Sequence, residues 1–188
     1  FSAYKSLLGN NGFLLAFTNS MKILIFGVAT ALCLTIPLAY GMSIKNLRGR
    51  GLLTIFILVP YVFNVGIIPV YLLIVKLGLT NKISSVFLPV AVGAYNCIMR
   101  SFFIGIPNDL RESAAIDGCS EFMIMIRIIL PLSKAIIMTI GLYYGVAFWN
   151  DYFRPMMYLD KDYLRPLPIL LRNILMAAGM NEFVESNA

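Results

Sequence analysis

Apolar residues fill four long stretches of this chain, and the polar residues collect in the connections between them. The stretches run from Ile23 to Ile44, from Leu52 to Val75, from about Ser84 to Ile104 and from about Ala135 to Phe153. A hydrocarbon core of about 30 Å takes roughly 20 apolar residues to cross as a helix, so each stretch predicts a transmembrane helix, the last two shorter than the first two. Pro37, Pro60, Pro69 and Pro89 lie inside these runs. Each removes a backbone donor, which lipid tolerates only where a neighbouring helix or water satisfies the freed carbonyl. Kinked, cavity-lining helices are expected on that ground, although membrane helices also carry Pro more often than soluble ones do. After the fourth stretch, residues 154–165 are polar, and residues 167–180 form an apolar run interrupted by Arg172 and Asn173. That run is too short to span and predicts an interfacial helix. The chain holds no repeat and no low-complexity tract.

Composition agrees with the pattern. Of 188 residues, 60% are hydrophobic and 13% charged, which leaves too little polar surface for a soluble domain of this size. The net charge of +6 raises nucleic acid as a partner, but the fifteen Lys and Arg are scattered between apolar runs without a basic stripe. They read as membrane flanks and loops, and no nucleic-acid partner is expected. The compact basic turn from Lys45 to Arg50 and the segment from Arg100 to Lys134 together carry seven basic residues against eight elsewhere. Charge therefore leaves the orientation open. The chain begins at Phe1 with no leader pattern, so its natural N-terminus is expected to be missing.

Enzymatic chemistry is not expected. There is no His, and Cys33, Cys97 and Cys119 stand at no metal-ligand or disulfide spacing, so no metal is called for. A phosphate-binding Gly-x4-Gly-Lys-Ser/Thr loop is lacking too, so this chain is not itself an ATPase. An ion-coupled carrier ordinarily buries ionisable groups in its spans, and the first two stretches contain none. Energy must come from a partner.

The most informative segment runs from Pro107 through Gly118 to Pro131. It reads as helix, turn, helix. Asp109 followed by Glu112 has the spacing of a capping box, Ser113 to Ile116 favours a compact helix, and Gly118 suits a left-handed C′ position. Ser120 then caps a second helix from Glu121 to Leu130, stopped before Pro131. That helix is apolar on nearly every face and must lie against protein or lipid. Here the chain resembles the permease subunits of ABC importers, whose cytoplasmic loop reads Glu-Ala-Ala, three residues, Gly, nine residues, Ile-x-Leu-Pro. Glu112-Ser113-Ala114, Gly118, Ile128, Leu130 and Pro131 meet every spacing, with Ser113 the one departure.

The resemblance implies that residues 108–118 are a coupling helix fitting a cleft in the ATP-hydrolysing subunit. Glu112, Ser113, Ala114, Ala115, Asp117 and Gly118 are then the coupling residues, with Ala114 and Ala115 small enough for close approach and Glu112 available to a basic group. The plainer reading of the same residues is an intracellular loop in which Glu112 only caps and Gly118 only stops a helix.

Further likeness to the maltose-type sugar permeases, and to their subgroup handling complex-polysaccharide fragments, lies in Asn19-Ser20, the basic turn, Pro60 with Pro69, Trp149-Asn150-Asp151 and Arg165-Pro166-Leu167. This likeness implies an all-α polytopic membrane protein, residues 1–188 forming one transmembrane permease domain. About four of the family's six spans are represented, the first and last being absent, with loops 45–50 and 107–134 on the cytoplasmic side. The resemblance places the chain in a bacterial cell membrane, paired with a second permease subunit as a heterodimer. Two ATP-binding subunits and an external solute-binding protein complete the assembly. No cofactor belongs to this chain; ATP and Mg are bound by the partners. The expected cargo is an oligosaccharide. Trp149, Asn150, Asp151 and Tyr152 offer an aromatic face and hydroxyl-binding groups, and Tyr61, Asn64, Tyr95 and Asn96 are candidates to line a path. Against these stand an interfacial aromatic belt for the first group and helix–helix hydrogen bonds for the Asn residues. Import of a non-sugar solute, and an independent channel or ion-coupled carrier, are the alternative functions.

Overall fold

The computed structural model describes residues 11–44, 47, 49–63, 66–91, 93 and 95–186, with side chains for all of these except Tyr61 and residues 177–186. Among the described residues the regular structure is entirely helical. Helix α1 (Asn11–Ser43) is 33 residues long. It starts twelve residues before the predicted span because Phe13 to Phe17 continue the apolar pattern and no Pro interrupts them. At 1.5 Å per residue it extends for about 50 Å, more than a bilayer core requires.

The second predicted span is not one helix, which corrects the reading from hydropathy. It divides into α2 (Arg50–Val62) and α3 (Ile67–Lys76). Pro60 withholds a donor near the end of α2, and Phe63 leaves the helical region at φ −93°, ψ 88°. Gly66 then adopts φ 75°, a conformation that favours glycine. Pro69 falls in the first turn of α3, where a missing N–H costs no helical bond. The third predicted span is likewise interrupted, into α4 (Ser84–Phe87), a 3₁₀ turn (Leu88–Val90) containing Pro89, and α5 (Tyr95–Ile104). Next come α6 (Asn108–Ile116), α7 (Glu121–Leu132), α8 (Lys134–Asn150), α9 (Phe153–Tyr158) and α10 (Leu167–Ser186). Helix α8 agrees closely with the fourth predicted span.

Among the described residues four continuous spans are therefore not found. Among the described residues only α1 is alone long and apolar enough to cross a membrane, and the count reaches three if each bent helix pair is one span. The outward faces are nonetheless apolar: Phe56 is 79% and Leu142 65% exposed, as suits lipid or a partner rather than water.

The chain forms two compact units. The first takes the described residues of Phe1–Gly27, Gly66–Pro89 and Gly145–Ala188. Ile23, Ile74, Val86, Phe148, Leu159 and Ile169 are buried there. Gly27 lets α1 approach closely, since a Cβ at that position would stand 3.0 Å from the Phe148 ring and 3.2 Å from Phe87 Cβ. Buried Asn19 donates from Nδ2 to the Tyr163 carbonyl at 2.8 Å, and the Ser20 hydroxyl accepts from the Leu167 N–H at 2.8 Å. These two polar residues of α1 thus satisfy backbone groups of the segment that leads into α10. Asn81, at φ 58°, accepts from the backbone N–H of Asp160 at 2.8 Å.

The second unit takes the described residues of Val28–Val65 and Val90–Tyr144. Its core includes Met42, Met99, Phe103, Ile124, Ile129 and Ile140. Thr35, fully buried, lies 3.0 Å from the Tyr144 hydroxyl, which donates to the Ala91 carbonyl at 3.3 Å.

Candidate functional site

Pro107 is extended, at φ −54°, ψ 131°, and α6 starts directly after it without a side-chain cap. The expected capping box is thus not formed: Asp109 lies inside the first turn, where its charge faces the positive end of the helix dipole instead of bonding an N–H. The other end of α6 is closed as the sequence predicts. Gly118 takes φ 81°, its N–H donates to the Ala115 carbonyl at 3.1 Å, and the Cys119 N–H donates to the Ala114 carbonyl at 3.0 Å. This pair of bonds is a Schellman turn, in which a residue with a Cβ would be strained.

Glu112, Ser113, Ala115, Asp117 and Gly118 are exposed, whereas Ala114 is buried. The two alanines therefore differ: Ala114 packs inward and Ala115 faces out. Leu110 and Ile116 add exposed apolar side chains, Ile116 at 86%. A helix of nine residues is too short for periodicity to have assigned these faces.

Sequence reasoning missed what holds α6 in place. Arg111 Nη2 donates to both oxygens of Glu121, at 3.0 and 3.1 Å. The Tyr40 hydroxyl donates to Glu121 Oε2 at 2.7 Å, and the Arg111 guanidinium lies 5.5 Å from the Tyr40 ring centroid. Each of the three side chains touches the other two, tying α6 to the first turn of α7 and to the end of α1. Helical spacing does not reveal this link, because Tyr40 and Glu121 are 81 residues apart.

The Ser120 hydroxyl caps α7 by accepting from the Met123 N–H at 3.3 Å, as expected. Pro131 does not stop this helix, a second correction. A π-helical turn over Met125–Ile129 precedes it, widening the coil where the pyrrolidine ring would meet the carbonyl four residues back. The helix continues to Leu132, and the chain then bends by 82° into α8.

A second group of side chains gathers in the first unit. Trp149 meets Phe17 edge-on at 6.3 Å between ring centroids and is 36% exposed. Asp151 is ion-paired with Arg154 at 2.7 Å. Asn150 is exposed and lines an open groove of about 540 Å³ with Tyr152, Leu171, Arg172, Leu175 and Met176. The Arg172 guanidinium lies 5.2 Å from the Tyr152 ring centroid, and Nη1 is 3.3 Å from Met156 Sδ. Asn150 and Tyr152 are among the expected substrate residues, but along the sequence Arg172 shows only as an interruption of an apolar run.

Of the other path candidates, Tyr61, Tyr95 and Asn96 lie in the second unit. Asn96 is fully buried and donates to the Thr35 carbonyl at 3.4 Å, so protein encloses its side chain. Tyr95 packs between Tyr143 and Tyr144, with centroids at 5.7 and 4.7 Å. Tyr61 belongs to α2, and Asn64 lies outside the described residues, as do Lys45 and Arg48 of the basic turn.

Residues 24–162 match the model of the family described as "Binding-protein-dependent transport system inner membrane component". Protein LplC of Bacillus subtilis is 36% identical over 95% of this chain and 61% of its own length. The polygalacturonan/rhamnogalacturonan transport system permease protein YtcP of the same organism is 38% identical over 86% of this chain and 57% of its own. A chain in the crystal structure of a bacterial ABC transporter involved in the import of the acidic polysaccharide alginate superposes with a TM-score of 0.88. It is 32% identical, and the match covers 92% of this chain and 62% of that one. The chain thus spans about three fifths of the length of each.

Proposed function

Because the chain belongs to the family of binding-protein-dependent transport system inner membrane components, we propose that it is one permease subunit of an ABC importer of oligosaccharides. It crosses the bacterial cell membrane several times and forms the translocation path with a second permease. Two cytoplasmic subunits bind ATP and Mg and drive transport, and an external binding protein delivers cargo. The chain contributes no ATPase site of its own.

The observation that carries this reading is the form of α6. Glu112, Ser113 and Ala115 stand on its exposed side, and the turn at Gly118 directs the chain away immediately after it. A small residue such as Ala115 admits close approach by a partner surface, and the Arg111–Glu121–Tyr40 link lets a push on α6 be passed to α7 and α1. Relatives named for polygalacturonan/rhamnogalacturonan and for arabinooligosaccharide transport support the choice of carbohydrate cargo. Trp149, Asn150, Tyr61 and Asn64 are the proposed cargo contacts.

The test is ATP hydrolysis by the reconstituted complex. Oligosaccharide-loaded binding protein should stimulate it above the level seen with empty binding protein. Stimulation by an amino acid and by no saccharide overturns the carbohydrate assignment.

A further inference from the structure

The groove in the first unit holds the guanidinium of Arg172. Arg154 and Arg165 of the same unit each have a carboxylate, Asp151 at 2.7 Å and Asp162 at 2.6 Å. Among the residues whose side chains are described, none places a carboxylate within ion-pairing distance of Arg172. Its contacts are an aromatic face and a thioether sulfur, both of which orient a guanidinium without cancelling its charge.

We propose that this groove binds acidic oligosaccharides, with Arg172 receiving the carboxylate of a uronic-acid unit. The planar guanidinium fork matches a carboxylate, and its hold on the Tyr152 ring means that little freedom remains to be lost on binding. Asn150 presents an exposed amide that both donates to and accepts from sugar hydroxyls. Leu171, Leu175 and Met176 are exposed at 46%, 72% and 53% and give the apolar face of a pyranose ring a wall. The groove volume of about 540 Å³ lies within the range of roughly 300–1,000 Å³ that small-molecule sites occupy. A neutral sugar makes the same hydroxyl and ring contacts but leaves the cation unpaired, so the site discriminates by charge. This inference rests on the importer reading and narrows its cargo.

The test is equilibrium binding to the full purified complex with the binding protein omitted, so that the selectivity of the latter does not intervene. The probes are tetragalacturonate and the same tetrasaccharide with every carboxyl methyl-esterified. The acid should bind the parental complex more tightly than the ester, by about tenfold for one charge-assisted contact. Arg172→Gln should remove that preference, whereas Arg172→Lys, which keeps the charge, should retain part of it; gel filtration establishes that each variant assembles. Equal binding of acid and ester by the parental complex, or an unchanged preference in Arg172→Gln, overturns the proposal. So does displacement by short-chain phosphatidylglycerol without any acid-over-ester preference, which would make the groove a lipid headgroup site. In any of these cases the importer reading stands if saccharide-loaded binding protein still stimulates ATP hydrolysis, and falls only if no saccharide does.

Discussion

Gly118 closes α6 in the left-handed region of backbone space. Its place after a short helix predicts a left-handed turn, and φ is 81°. Valine there would hold a β-branched side chain in a conformation costing about 1–2 kcal/mol or more. Gly118→Val should therefore insert into the membrane normally yet bind the ATPase subunit weakly and lose transport, while Gly118→Asn, which tolerates positive φ, should lose less. Parental transport by the valine variant would mean that this turn does not aim α6 at the proposed ATPase partner. Tyr40, Arg111 and Glu121 teach the opposite lesson, since nothing local connects them. If they act as one unit, Tyr40→Phe and Arg111→Gln should be non-additive in thermal unfolding by about 0.5 kcal/mol or more. Strict additivity would reduce the three contacts to coincidence. Asp109 departs from its expected capping role for a local reason: a capping residue has to precede the first turn, and the extended Pro107 sets that turn two residues too early for it.

Among the elements, those whose limits depend on hydropathy alone were legible, and those whose limits depend on proline were not. Helix α8 and the predicted fourth span nearly coincide. The second and third stretches are as apolar as the pattern requires but divide near Pro60, Gly66 and Pro89, where donors are missing or φ turns positive. Pro131 fails to divide α7 because a π-helical turn makes room for it. Packing within an element can be tested at Gly27, where a Cβ would meet the Phe148 ring at 3.0 Å. Gly27→Leu should destabilise the solubilised protein by about 1–3 kcal/mol, the usual cost of overpacking, and lower its unfolding temperature. Gly51→Ala is the control, because no atom lies within 4 Å of a Cβ there, and it should be neutral or slightly stabilising. Equal behaviour of the two variants would remove the close approach of α1 from the account.

For the whole molecule, the open matter from sequence was orientation, which the basic residues divide almost evenly. The importer reading places α6 in the cytoplasm and the segment around Lys161 outside. In a background without Cys33, Cys97 and Cys119, Asn108→Cys should resist a membrane-impermeant thiol reagent in intact cells and Lys161→Cys should react. The reverse labelling would invert the topology. What the sequence determined by itself is the membrane class, the part of the first helix from Ile23 onward and the turn at Gly118, because hydropathy and the sign of φ belong to a residue and its chain neighbours. Only the tertiary structure decided that Ala114 faces inward while Ala115 faces out, and that Asn19 serves the Tyr163 carbonyl 144 residues away. It also decided that Arg172 stands beside Tyr152 and Asn150 with no carboxylate paired to it among the described side chains. Burial and charge pairing depend on which distant segments the fold brings together, and no local pattern along the chain encodes that.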